Sequence, residues 1–308
     1  MQGKDSKERD CLSFEGFCAC VRIDISHRLE HAKVRIQEVI KNNGIRLHGV
    51  VIREQDGSDL VPIFYLEGFY EQYQDGNMGL EEIVDTIIMA YRTDKTPLTL
   101  DSAHFSDWGQ VRERIVFRLI NMDSNREYLE HAPHFQYLDL ALAFTCYFGN
   151  AGDTNLSIAV NSYHMDMWGV TAEELCDVAE ENTFRLLEPK IQHLGEYLGI
   201  QADASEGFYA GLPQDALSTG ILTNGCKFNG AVGILDKKLL KGFADRVGSD
   251  LYILPSSVHE LILLPMTCGK TVEELNAMVS DLNANLEEVT VLSNHVYRYI
   301  RETGEVTM

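Results

Sequence analysis

The chain reads as an α+β protein in which antiparallel hairpins alternate with helices that cover one face of the sheets. Three observations carry that reading. Short alternating runs are joined by tight-turn signals such as Asn43-Gly44, and strands joined so closely pair antiparallel, because parallel pairing needs a long crossover. Between them lie segments whose apolar residues recur with a 3.6-residue period. Two helix starts carry capping boxes, Thr171 with Glu174 and Thr271 with Glu274, where each side chain satisfies an orphan backbone N–H.

The elements follow in order. Leu12 to His27 mixes Phe14, Phe17, Val21 and Ile23 with charges and predicts a helix. Val34, Ile36 and Ile40 alternate with polar residues up to the Asn43-Gly44 turn, and a second extended run ends at Arg53, so Val34–Arg53 is a hairpin. A short strand at Ile63–Tyr65 and a helix over Leu66–Tyr73 come next. Leu80, Ile83, Val84, Ile87, Ile88 and Tyr91 form one apolar stripe, so Gly79–Tyr91 is a helix. Ile115–Ile120 is a strand. Leu138–Tyr147 and Asn155–Val160 bracket a Gly-rich turn and form a hairpin, and a helix over Thr171–Arg185 follows. Ile221–Thr223 and Ala231–Leu235 flank the pairs Asn224-Gly225 and Asn229-Gly230 and are expected to form a hairpin. Asp236 caps a helix over Lys237–Val247 that Gly248 ends in left-handed conformation. Leu251–Leu254 and Val258–Leu264 form the last hairpin, and Thr271–Leu282 the last helix. The stretch from Gly199 to Ser218 breaks this rhythm and is expected to be a long surface loop. The expected division is an N-terminal lobe over residues 1–131 and a C-terminal lobe over residues 132–308.

A chain of 308 residues is long enough to bury a sizeable core without disulfide staples. Its formal charge of −21 repels phosphate backbones, so nucleic acid is not an expected partner. A patterned acidic surface that mimics nucleic acid is the sharper reading of the same charge. The seven cysteines are odd in number and lack any C-x-x-C pair, and most have apolar neighbours, which predicts free thiols without metal. The first ten residues are polar, and no apolar stretch is long enough to span a bilayer, so the expected location is the cytoplasm and no membrane partner is expected.

No phosphate-binding loop, dinucleotide fingerprint, nucleophile elbow or zinc-helix motif is present. Four constellations remain. In Ser256-Ser257-Val258-His259-Glu260 the residue types suit nucleophile, base and orienter. Strand alternation, however, places His259 and Glu260 on opposite faces and lets only Ser257 and His259 share one. The structural reading of that stretch is a turn cap and a polar sheet edge. His164 and Asp166 have the spacing of two metal ligands on an extended chain but no evident third, and Trp168 is expected to pack at the entrance of the following helix. Asn182 lies seven residues after Leu175, on the apolar side of its helix, where its amide needs a partner; capping a neighbouring backbone segment and contacting a ligand are the two readings. Phe64, Tyr65, Phe69, Tyr70 and Tyr73 either line a groove or fill a core.

Several stretches resemble a known family. They are Asn42-Asn43-Gly44, Phe69 to Tyr73, Arg114 to Asn121, Trp168-Gly169-Val170-Thr171 and, most specifically, Gly248 to Glu260. They are similar to an uncharacterised bacterial family, domain of unknown function number 5688, common in gut Firmicutes, and the resemblance runs from about Arg28 to Arg301. It implies a bacterial cytoplasmic setting and a fold spanning the chain, and it implies no activity, cofactor or catalytic residue. The expected function is therefore a non-catalytic binding or adaptor protein with a protein or small-molecule partner and no cofactor. Its candidate contact residues are Ser256, Ser257, His259, Glu260, Trp168 and Asn182. A hydrolase-like enzyme using Ser257 and His259, and an acidic inhibitor that mimics nucleic acid, are the alternatives.

Overall fold

A computed structural model describes residues 11–54, 61–93, 102–151, 154–194, 218–255 and 257–308. It shows an α+β fold with three antiparallel sheets among these residues. The chain divides into two compact units, one of Met1–Lys41 with Arg46–Phe105 and one of Asn42–Ile45 with Ser106–Met308. The boundary expected after residue 131 falls within the second unit.

The first unit starts with helix α1 (Phe14–Arg28), capped by the Ser13 side chain. Strands β1 (Ala32–Ile40), β2 (Arg46–Glu54) and β3 (Ile63–Tyr65) form a sheet in the order β1-β2-β3, which leaves β1 outermost with one partner. Helices α2 (Glu67–Gln74) and α3 (Leu80–Thr93) follow. Alternation decides which face is buried. Val50 and Ile52 lie in the core with Phe17, Val21 and Ile25 of α1 and Ile83, Val84, Ile87 and Ile88 of α3, and Val34, Ile36 and Phe64 pack against it. Each of these side chains contributes about 1.5–3 kcal/mol when fully buried. Phe69, Tyr70 and Tyr73 pack on the same cluster, so most of the aromatic run fills core. Between β1 and β2, Asn43 and Gly44 both take positive φ, 60° and 73°, as the turn signal requires. The Asn43 amide group donates to the carbonyls of Glu288 and Val291, and its backbone N–H donates to Asn125.

The second unit contains two sheets, preceded by the short helices α4 (Ser102–Ser106) and α5 (Trp108–Val111). One sheet holds β4 (Ile115–Asn121), β5 (His134–Tyr137), β6 (Leu140–Ala151) and β7 (Thr154–Ala159), with α6 (Arg126–Leu129) between β4 and β5. The long β6 pairs with β4 along one edge and with β5 and then β7 along the other. Helices α7 (Ser162–Trp168) and α8 (Ala172–Leu187) follow. Helix α8 packs on β4 and closes its free edge. Asn182 donates to the carbonyls of Arg112 and Ile115 (2.8 and 3.0 Å), and the Thr183 hydroxyl accepts the Phe117 N–H (2.8 Å). An edge sealed in this way cannot recruit another strand.

The other sheet runs β13-β12-β10-β11-β9-β8. Its strands are β8 (Lys190–His193), β9 (Gly220–Thr223), β10 (Leu251–Leu254), β11 (Leu261–Pro265), β12 (Tyr297–Ile300) and β13 (Glu305–Thr307). Helix α9 (Lys237–Val247) is capped by Asp236 and stopped by Gly248 at φ 70°. Helix α10 (Val272–Asn283) packs Leu275 and Val279 against Leu254 and Leu264.

Three local expectations are overturned. Ala231–Leu235 is not a strand; Gly230–Leu235 forms a 3-10 helix, and β9 pairs with β8 and β11 instead. Asn224 draws its loop into a side-chain turn, donating to the Phe228 carbonyl (2.7 Å) and accepting its N–H (3.2 Å), while Asn229 sits at φ 50°. Val258–Glu260 is also not strand, because the Ser257 hydroxyl takes the N–H groups of His259 and Glu260 and competes with the ladder. His164 and Asp166 lie on α7 and not on an extended chain; residues two apart on a helix point in different directions. The start of α7 escaped notice because its capping box uses Asn161 with His164 where Glu or Gln is usual. The Gly199–Ser218 loop falls almost wholly outside the described residues.

Candidate functional site

Ser257, His259 and Glu260 come together in one turn, and Ser256 lies outside the described residues. The Ser257 hydroxyl is buried and accepts the backbone N–H groups of His259 (2.9 Å) and Glu260 (3.2 Å). His259 Nδ1 accepts the Asn229 N–H (3.2 Å), which requires a neutral ring, and burial lowers its pKa against a weaker opposing pull from Glu260. The His259 carbonyl accepts from the Thr223 hydroxyl (3.1 Å). Serine and histidine thus both bond to backbone and make no nucleophile–base pair.

Trp168 ends α7, with its ring 5.5 Å from that of His164 and 5.8 Å from that of Trp108. Asn182 is buried, and besides its two carbonyl partners its own oxygen accepts from Arg185 (2.7 Å). Its amide group thus ties α8 to the backbone leading into β4, and its oxygen is held by Arg185 of the same helix.

A fifth cluster carries no signal in the sequence. Asp139 occupies the two-residue turn between β5 and β6, beside Leu138 at φ 59°. Its Oδ1 accepts the Tyr297 hydroxyl (2.5 Å), and its Oδ2 accepts the Ser293 hydroxyl (2.7 Å) and His295 Nδ1 (2.9 Å). Burial pushes the Asp139 pKa up, but the three donors outweigh it and the net shift is downward. The bond to Nδ1 leaves His295 Nε2 pointing away from the carboxylate, the arrangement of an oriented base. Ser293 does not serve it as a nucleophile, because its hydroxyl donates to Asp139 and accepts the His295 N–H (3.0 Å). Among the described residues, no group of three or more His, Cys, Asp or Glu is placed to hold a metal. All seven cysteines are free, and burial raises Cys18 to about 11 and Cys146 to about 12, so both stay protonated.

Two cavities of the first unit share a lining residue on one strand. Cross-strand register puts Lys33 opposite Arg53 and Arg35 opposite Val51, on the sheet face away from the core. A cavity of about 640 Å³ is lined there by Lys33, Arg35, Gln37, Val51, Arg53 and Glu54, three cations against one carboxylate, and it reaches Ile36 on the other face. A second, of about 410 Å³, lies between α1 and the sheet, lined by the apolar Phe14, Cys18, Ala19 and, again, Ile36, and by Glu15, Arg22 and His48. Since Ile36 lines both, the cavities meet at β1. Unlike β4, this outermost strand has no helix side chain bonded along its open edge among the described residues.

Among the described residues, these features define an α+β protein in which α8 covers the β4 edge and two cavities border the outermost strand β1. The chain belongs to the family of unknown function DUF5688, whose model matches residues 14–301. No curated protein and no solved structure matches it. Among the described residues, no helix is long and apolar enough to cross a membrane.

Proposed function

We propose that this is a non-catalytic binding protein of the bacterial cytoplasm that engages a protein partner through β1. The observation that carries this reading is the pair of cavities meeting at Ile36 on an outermost strand. The enzyme reading finds less support, because the Ser257 and Ser293 hydroxyls and the Nδ1 of His259 bond within the fold. Lys33 and Arg35 are both exposed, so changing them perturbs binding and leaves the core intact. Proteins retained by the wild type from its own cells, identified by mass spectrometry, are expected to be lost from Lys33→Glu/Arg35→Glu. They are expected to stay bound to Ser257→Ala and His295→Ala. Retention by the double variant would place the binding surface elsewhere.

A further inference from the structure

Resting on the binding role just proposed, we infer that the partner supplies an extended segment of alternating acidic and apolar residues, which adds as a fourth strand beside β1. The sheet runs β1-β2-β3, so a fourth strand has room only beyond β1 or β3. Beside β1 there is a cavity on each face. Successive side chains of an added strand point to opposite faces. One set therefore enters the cavity lined by Lys33 and Arg35, and the other enters the cavity lined by Phe14, Cys18, Ala19 and Ile36.

Charge selects the chemistry of each set. Lys33 and Arg35 are exposed and have no hydrogen bond or ion pair among the described residues, in a chain whose net charge is −21. Carboxylates opposite them gain two cations without breaking an existing pair. On the inner face, the protonated Cys18 thiol behaves as a small apolar group and with Phe14, Ala19 and Ile36 forms the apolar part of a cavity that Glu15, Arg22 and His48 also line. A second copy of this chain is a poor occupant. Antiparallel pairing of β1 with its own copy gathers both copies of Lys33 and Arg35 on one face of the joined sheet and brings no carboxylate to them there.

The test uses the full-length protein and a fluorescein-labelled nine-residue peptide alternating Glu and Val. Saturable binding is expected, weakening with salt and falling about tenfold for Lys33→Glu/Arg35→Glu. A peptide alternating Lys and Val is expected not to bind. Two N-methylated forms of the Glu/Val peptide separate strand addition from side-chain attraction. Methyl groups on every second amide of one set block the edge that faces β1, and on the other set they leave it open. One form is expected to bind and the other to fail. Equal binding of both forms overturns strand addition while leaving the binding role standing, provided the native partner is still lost from the double variant. Retention of the native partner by that variant overturns the binding role itself. Self-association of the free protein that disappears in the double variant would assign β1 to a second copy and overturn the inference.

Discussion

Replacing Asp139 by Ala is expected to destabilise the protein by about 3 kcal/mol, because two buried hydroxyls lose their acceptor at roughly 1–3 kcal/mol each. Tyr297 and Ser293 are those hydroxyls, 0% and 3% exposed, and both donate to Asp139. For a chain of 308 residues that corresponds to a melting temperature lower by roughly 5 °C. His295→Ala is the control. Its side chain is 60% exposed, so its ion pair with Asp139 is worth less than about 1 kcal/mol. The same carboxylate makes stability depend on pH. Its folded pKa is depressed, so its contribution is complete above the ordinary carboxylate value and is lost as pH falls through the folded one. The gap between the wild type and Asp139→Asn in urea unfolding should therefore narrow in acid. A gap that widens as pH falls would contradict the assignment.

The second large effect is expected at Gly230. A Cβ there would stand 2.3 Å from the His259 carbonyl oxygen and 2.9 Å from Thr223 Cα. Both neighbours are backbone, held by the β9–β11 pairing and the Ser257 turn, and neither can rotate away. Gly230→Ala is expected to cost about 3 kcal/mol, the upper part of the range for overpacked sites. Gly49 tests the reasoning, because its Cβ would come still closer, 2.1 Å, to Ile63 Cγ2. That atom is a side-chain methyl of the half-buried Ile63, which a χ1 change can carry away at the cost of leaving its preferred rotamer, so Gly49→Ala is expected to cost less than Gly230→Ala. Thermal melts that rank the two the other way would show that distance alone, and not the mobility of the neighbour, sets the cost.

Elements with local signals were legible in the sequence. The Asp236 cap and Gly248 stop bound α9 at the expected residues, and the boxes at Thr171 and Thr271 start α8 and α10. The Asn43-Gly44 turn joins β1 to β2, and the hairpin of β6 with β7 forms. What escaped is set by distant parts of the chain. Gly230–Leu235 looks like a strand until the backbone of His259 and Thr223 crowds Gly230. Strands β8, β12 and β13 are three or four residues long and gain their definition from neighbours in the sheet. The Asp139–His295 pair spans 156 positions, which no spacing rule reaches. The alternation of Lys33, Val34, Arg35 and Ile36 was visible, but whether that strand lies inside a sheet or at its margin depends on which strands fold beside it.

Residue-resolved hydrogen exchange on the free protein tests that last point most directly. An outermost strand turns every second N–H away from its neighbour. In β1 the amides between Lys33 and Val39 are expected to alternate, one set slow and the other exchanging like unprotected chain. Phe117, whose outward N–H is taken by the Thr183 hydroxyl, is expected to exchange slowly. Uniform protection along β1 would show that its edge is already occupied and would contradict the docking role assigned to it.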